Sequence, residues 1–148
     1  MSIFPAKPAA VAILRGGASM PKLHGEVRFY HARQGVLVVA KVSNLPKGNT
    51  AGFFGFHIHE GTDCGGEGFG NTGSHYSPTP SPHPMHAGDL PPLLECCGKA
   101  RLVVWTERFS PWEVIGRTVV IHSQPDDFHS QPSGNAGEKL ACGVIRKV

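Results

Sequence analysis

The stretch Phe53-Phe54-Gly55-Phe56-His57-Ile58-His59-Glu60 constrains this chain more than any other. Its alternation with period two predicts a strand carrying Phe54, Phe56 and Ile58 on one face and His57 and His59 on the other. Imidazoles two residues apart point the same way, roughly 7 Å apart at ~3.3 Å per residue, close enough to hold one metal ion from two sides. The apolar face predicts core and the histidine face a site. Taken alone, such a pair also suits two hydrogen-bonded structural histidines, so the rest of the chain must decide.

At 148 residues and 40% hydrophobic content, the chain is long enough to bury a core of its own, which predicts one domain over residues 1–148. Its 19 glycines and 13 prolines fall mostly between short apolar runs, favouring many short strands over long helices. The formal net charge is +3, but lysines and arginines are scattered, without the basic stripe and interleaved aromatics of a nucleic-acid binder. A mildly positive surface attracts small anions instead. Met1 to Pro8 has no apolar run of signal-peptide length and no segment reaches membrane-spanning length, so no membrane partner is expected. The compartment is read as cytoplasmic if the chain is whole and exported if a leader is missing. Four cysteines are too few for a disulfide scaffold at this size.

Val11 to Arg15, Gly25 to His31 and Val36 to Val42 read as three strands of an antiparallel meander, broken at Gly16-Gly17 and Arg33-Gln34-Gly35. Val27 and Phe29 alternate with Glu26, Arg28 and Tyr30, predicting one buried and one wet face. His24 and His31 are expected at the surface. Residues 61–92 form a long stretch rich in Gly, Pro and Ser, of a length usually functional or disordered in compact domains. It holds Cys64, His75, His83, His86 and Asp89, and that density of ligand-type residues predicts order. Alternation returns at Ala100 to Thr106 and at Gly116 to His122, where His122 shares a face with Thr118 and Val120 and is expected outside the core. A second loop, residues 123–139, carries Asp126, Asp127 and Gly134-Asn135-Ala136-Gly137. Ala141 to Ile145 is the last strand. About eight strands at this spacing predict an all-β sandwich or closed barrel.

His57, His59, His75 and His122 could surround a copper ion, which accepts tetragonal nitrogen coordination. His83-x-x-His86-x-x-Asp89 offers two nitrogens and a carboxylate oxygen at the spacing of a tetrahedral zinc site. Two four-coordinate sites need eight donors where seven residues are present, and an imidazole bound through both nitrogens completes the set. His75, which begins the second series, is best placed for that. The other reading is a single zinc site that stabilises the loop.

Across nearly its whole length the chain resembles the copper/zinc superoxide dismutase family. The resemblance is carried by Gly55-Phe56-His57-Ile58-His59-Glu60, Gly73-Ser74-His75-Tyr76, His86-Ala87-Gly88-Asp89-Leu90, Gly116-Arg117-Thr118-Val119-Val120-Ile121-His122, Gly134-Asn135-Ala136-Gly137 and Leu140-Ala141-Cys142-Gly143-Val144-Ile145. It implies an immunoglobulin-like, eight-stranded Greek-key β-barrel with two long functional loops. It also implies one copper per chain on His57, His59, His75 and His122, and one zinc per chain on His75, His83, His86 and Asp89. The implied activity is disproportionation of superoxide to oxygen and hydrogen peroxide by Cu(II)/Cu(I) cycling, with His75 as bridging ligand and proton carrier. By the same resemblance Cys64 pairs with Cys142, Asp126 links a copper histidine to a zinc histidine (His57 and His83), and the partners are superoxide, a second copy in a homodimer and a copper donor protein.

The sequence departs from the family at several points. Lys139 stands where an arginine usually guides the anion, keeping the charge but losing the planar fork. Ser133 falls where a threonine often narrows the same channel. Only Pro84 and Met85 separate His83 from His86, a shortened metal loop in which Met85 is expected to pack rather than ligate. Cys96-Cys97 has no counterpart in the motifs and reads as two free thiols in a connecting loop. The rival readings are a non-enzymatic copper-binding or copper-storage protein on the same barrel, and a zinc-stabilised structural domain.

Overall fold

A computed structural model gives the fold, described for residues 7–47 and 51–148. Residues 1–6, on which most of the expectation about a leader rests, lie outside the described residues. Among the described residues nine strands form: β1 Ala10–Gly16, β2 His24–His31, β3 Val36–Ser43, β4 Phe53–Phe54, β5 Phe56–His59, β6 Leu93–Leu94, β7 Lys99–Thr106, β8 Thr118–His122 and β9 Lys139–Lys147. Seven make one antiparallel sheet in the order β5-β8-β9-β1-β2-β3-β7, and β4 pairs with β6 in a two-residue ribbon. Eight strands were expected. The seven stretches placed in the sequence match the seven strands of the main sheet; the other two are β4, set off from the His-x-His strand at Gly55, and β6, each only two residues long and too short to show an alternation.

The path is a Greek key. The chain runs the β1-β2-β3 meander, crosses to the far edge for β5, returns to pair β7 with β3, then crosses again to set β8 beside β5 and β9 beside β1. β4 leads directly into β5, and β6 turns into β7 through the Cys96–Lys99 bridge, so the small ribbon joins the two edges. The ribbon covers only part of the gap: β7 pairs with β3 alone, so its outer edge carries no strand partner among the described residues.

The core follows the alternation. Ala10, Ala12, Leu14, Val27, Phe29, Val36, Val38, Ala40, Phe54, Phe56, Ile58, Val119, Ile121 and Ile145 pack inside. Full burial of each large side chain contributes about 2 kcal/mol. Tyr30, expected on the wet face, is only 5% exposed; its ring lies under its neighbours and its hydroxyl meets the Arg28 guanidinium. His24 and His31 are exposed, as expected. His122 is not outside the packed interior: all five residues of β8 are buried, because the two long loops fold over the face that alternation alone left open. Two short helices escaped the sequence reading. One is a 3₁₀ segment, Glu67–Thr72; the other is α1, Pro111–Val114, whose start is fixed by a capping box between Ser110 and Glu113 with Pro111 in its first turn. Among the described residues no helix is long and apolar enough to cross a membrane.

Candidate metal centre

Six histidines and two aspartates converge where the two loops meet β5 and β8. On β5, His57 and His59 are 0% and 2% exposed, and their rings stand 6.4 Å apart between centroids. β8 pairs with β5 and delivers His122, while the metal loop is pinned to β5 by backbone bridges His59–His75 and His57–Asp89. A disulfide between Cys64 and Cys142 anchors the same loop to β9. The sequence therefore brings its ligand candidates together chiefly through strand pairing and a covalent tie.

Ring orientation sorts the nitrogens. His59 Nδ1 donates to Gly73 O at 2.9 Å and His122 Nδ1 to Gly137 O at 3.4 Å, so in each ring the Nε2 lone pair remains free. Those two Nε2 atoms face each other at 3.1 Å. Burial, reinforced by neighbouring imidazoles, pushes His59 down to about 2 and His122 down to about 3, so both rings are neutral near pH 7. Two lone pairs held this close repel unless a cation lies between them. His57 Nε2 donates to Asp126 Oδ2 at 2.8 Å, which leaves a buried Nδ1 without a hydrogen-bond partner. Burial lowers the His57 pKa even against that aspartate.

His75 faces two ways. Its Nδ1 is 2.7 Å from Asp89 Oδ1, and its Nε2 is buried without a partner. His83 Nδ1 and His86 Nδ1, at 3.1 and 3.0 Å from Asp89 Oδ2, are near enough for ion pairing but not aligned as hydrogen bonds. Burial alone would raise the Asp89 carboxyl; the His75 hydrogen bond and the three nearby imidazoles outweigh it and keep Asp89 below the usual range. One donor atom from each of His57, His59, His75 and His122 lies within 4.8 Å of the others, and the same holds for His75, His83, His86 and Asp89. Four orphaned ring nitrogens and one facing pair of lone pairs are what a cation-binding donor set looks like without its ions, and the nitrogen-rich and nitrogen–oxygen sets fit copper and zinc respectively.

Asp126 sits behind both groups. Its Oδ1 accepts from His83 Nε2 at 2.8 Å and from Phe128 N at 2.7 Å, while Oδ2 takes His57. Burial would raise this carboxyl, but the His57 and His83 hydrogen bonds dominate and hold it well below the usual range. Gly134, at φ +70°, closes over it: a Cβ there would stand 2.1 Å from Asp126 Oδ1 and 2.6 Å from His83 Nε2. No side chain fits, which explains the glycine in that turn.

Beside the histidines, a cavity of about 260 Å³ is lined by His59, His75, His122, Ser133 and Lys139 among others. Lys139 Nζ donates to Thr72 Oγ1 at 2.7 Å and Gly73 O at 3.2 Å, and partial burial lowers its pKa. Two of its three N–H groups are thus used by the wall.

Sequence reasoning missed two positioning residues. Gln131 and His83 exchange hydrogen bonds, His83 N to Gln131 Oε1 at 2.8 Å and Gln131 Nε2 to His83 O at 2.7 Å. Arg108 Nη1 donates to Pro84 O, His86 O and Asp89 O at 2.8, 3.2 and 3.4 Å. Both act across long sequence separations, and no local pattern marks them. Met85, expected to pack, is 60% exposed, since the turn it occupies points to solvent. Cys96 and Cys97 are free and exposed at the β6–β7 turn.

Residues 23–145 match the family model described as copper/zinc superoxide dismutase, and the chain belongs to that family of oxidoreductases. It is 34% identical over 137 residues to superoxide dismutase [Cu-Zn] 2 of Aquifex aeolicus, covering 82% of this chain and 78% of that one. A superoxide dismutase [Cu-Zn] from Legionella pneumophila is 34% identical over 136 residues (85% and 80% covered), and one from Deinococcus radiodurans 35% over 148 residues (86% and 79%). Among solved structures, a SOD-like protein from Bacillus subtilis superposes with TM-score 0.74 at 26% identity, covering 90% of this chain and 96% of that one. A double mutant of that protein, with histidine introduced at two positions, reaches 0.77 at 27% identity, covering 92% and 96%. Kinship at this level supports superoxide dismutation as the general function and copper and zinc as the metals.

Proposed function

We propose that this chain disproportionates superoxide to oxygen and hydrogen peroxide, with copper held by His57 Nδ1, His59 Nε2, His75 Nε2 and His122 Nε2, and zinc by His75 Nδ1, His83 Nδ1, His86 Nδ1 and Asp89. The observation that carries this reading is His75, whose two ring nitrogens point into two different donor groups. Bound copper supplies the one-electron cycling between Cu(II) and Cu(I), and bound zinc supplies fixed positive charge beside it.

The chain's own residues do the rest. Gly73 O and Gly137 O fix His59 and His122 in one tautomer, and Asp126 does the same for His57 and His83. His75 lines the cavity that Lys139 also lines, and its ring can hold a proton at Nε2 and pass it to the departing peroxide. Lys139 sets a positive potential at the cavity and draws a small anion toward the histidines.

Titrating copper into zinc-loaded protein tests the reading. Dismutation should rise linearly with copper and saturate at one copper per chain. A rate that stays negligible at full copper loading would favour the alternative, a non-enzymatic copper-binding or copper-storage protein. That alternative draws support from the SOD-like neighbours in Bacillus subtilis and from the engagement of Lys139 with its own wall.

A further inference from the structure

The β6–β7 hairpin holds a second set of metal-type donors at the outer tip of the barrel, among residues the histidine chemistry does not use. Cys96 N donates to Lys99 O at 2.8 Å and Lys99 N to Cys96 O at 3.0 Å, so Cys97-Gly98 is a two-residue loop. Both loop residues have positive φ, +54° and +78°, as the tight hairpin turn of type I′ demands. Asparagine or glycine is the ordinary choice at the first of these positions. Here a cysteine occupies it, directly after another cysteine. The turn is braced further by Glu95, whose Oε1 accepts from Gly98 N at 2.5 Å.

The two sulfurs are 3.9 Å apart and both residues are exposed. They are poorly suited to bridge each other, because consecutive Cα atoms stand ~3.8 Å apart, below the usual disulfide range of roughly 4.4–6.8 Å. They are well suited to share an ion. With a metal–sulfur bond of about 2.3 Å, sulfurs on opposite sides of one ion stand about 4.6 Å apart, a small side-chain rotation from the observed separation. Thiolates select soft cations over oxygen-preferring ones, two donors leave the four-ligand demand of zinc unmet, and the neighbouring Glu95 carboxylate adds negative charge.

We infer that Cys96 and Cys97 form a two-coordinate site for one soft monovalent cation of the copper(I) class, separate from the histidine centres. Binding exchanges thiol protons for the ion, with no change of oxidation state. The test uses the copper- and zinc-loaded chain in chloride-free buffer under argon, with silver(I) as a redox-inert probe. One equivalent should produce a thiolate charge-transfer band and protect both thiols from maleimide, while the copper spectrum at the histidines is unchanged. Cys96→Ser and Cys97→Ser should each weaken binding roughly a hundredfold, the loss expected when a chelate becomes a single donor. Thiols that react equally fast with silver present would overturn the proposal. So would silver that displaces copper while the cysteines stay free, or a stoichiometry of one ion per two chains in a crosslinked dimer.

Discussion

His57 and His83, from a strand and a loop, both donate at 2.8 Å to opposite oxygens of the one Asp126 carboxylate. An ionised carboxylate only accepts, so both rings carry their proton on Nε2 and turn Nδ1 inward. Asp126→Ala should therefore release two rings at once. The expected outcome is a 10- to 100-fold loss of zinc affinity by chelator competition, at roughly the cost known for such outer partners. Asp126→Asn should recover little, since its amide can hold at most one ring correctly. Unchanged zinc affinity in both variants would show that loop packing alone sets the rings.

Gln131 tests the loop-to-loop contact apart from charge. Its amide makes a reciprocal pair with the His83 backbone. Gln131→Ala leaves two buried-side backbone groups to find water and should cost about 1–3 kcal/mol in urea unfolding of the metal-loaded chain. Zinc should also leave faster. Stability and zinc release both equal to the parent would place the clamp among contacts without energetic weight.

Much of this was legible beforehand, for physical reasons. A strand fixes the direction of every second side chain, so Phe56-His57-Ile58-His59 disclosed both its core face and its histidine face. The same rule misled at His122 and Tyr30, because alternation tells which face a residue takes and not what later covers it. The candidate donors of the metal loop, His75, His83, His86 and Asp89, could be picked out by residue type and spacing, and the fold brings them together. Gln131 and Arg108 could not, since each acts through side-chain hydrogen bonds to backbone brought near only by the fold. The missed helix α1 did carry a signal, Ser110-Pro111-x-Glu113, in a segment too short for periodicity.

The metal-free protein should lose stability in acid at an unusually high pH. His59 and His122 sit near 2 and 3 when folded against 6.5 when unfolded. Between those values the unfolded chain binds protons that the folded chain does not, so stability is full above about pH 6.5 and declines as pH falls. Each group contributes a slope of up to about 1.4 kcal/mol per pH unit. The urea midpoint of the metal-free chain should fall clearly between pH 7.5 and pH 5, and far less with metals bound. A midpoint independent of pH over that range would contradict the neutral, buried state of these rings.

Lys139 spends two donors on Thr72 and Gly73, leaving one for an anion. Replacing it with methionine should lower kcat/KM for superoxide roughly tenfold and flatten the dependence on ionic strength. Lys139→Arg should raise the rate, because a guanidinium can keep the wall contacts and still present a fork to the cavity. Identical rates and salt slopes across all three side chains would remove Lys139 from substrate guidance.

The disulfide closes a separation of 78 residues between Cys64 and Cys142. On chain-entropy grounds its loss by Cys64→Ser should destabilise the chain by about 4 kcal/mol. The same variant should bind zinc more weakly, since the loop bearing His75 loses its anchor to β9. Reduced stability with intact zinc affinity would separate the two roles.

The most direct measurement is metal content and dismutation rate on the same preparation, comparing copper–zinc protein, zinc-only protein and copper–zinc His59→Ala. The account predicts one copper and one zinc per chain with rapid dismutation in the first, none in the second, and a collapse of rate in the third, where the facing pair of Nε2 lone pairs is broken. Rapid dismutation that persists in His59→Ala, or its absence from fully loaded parent protein, would contradict it.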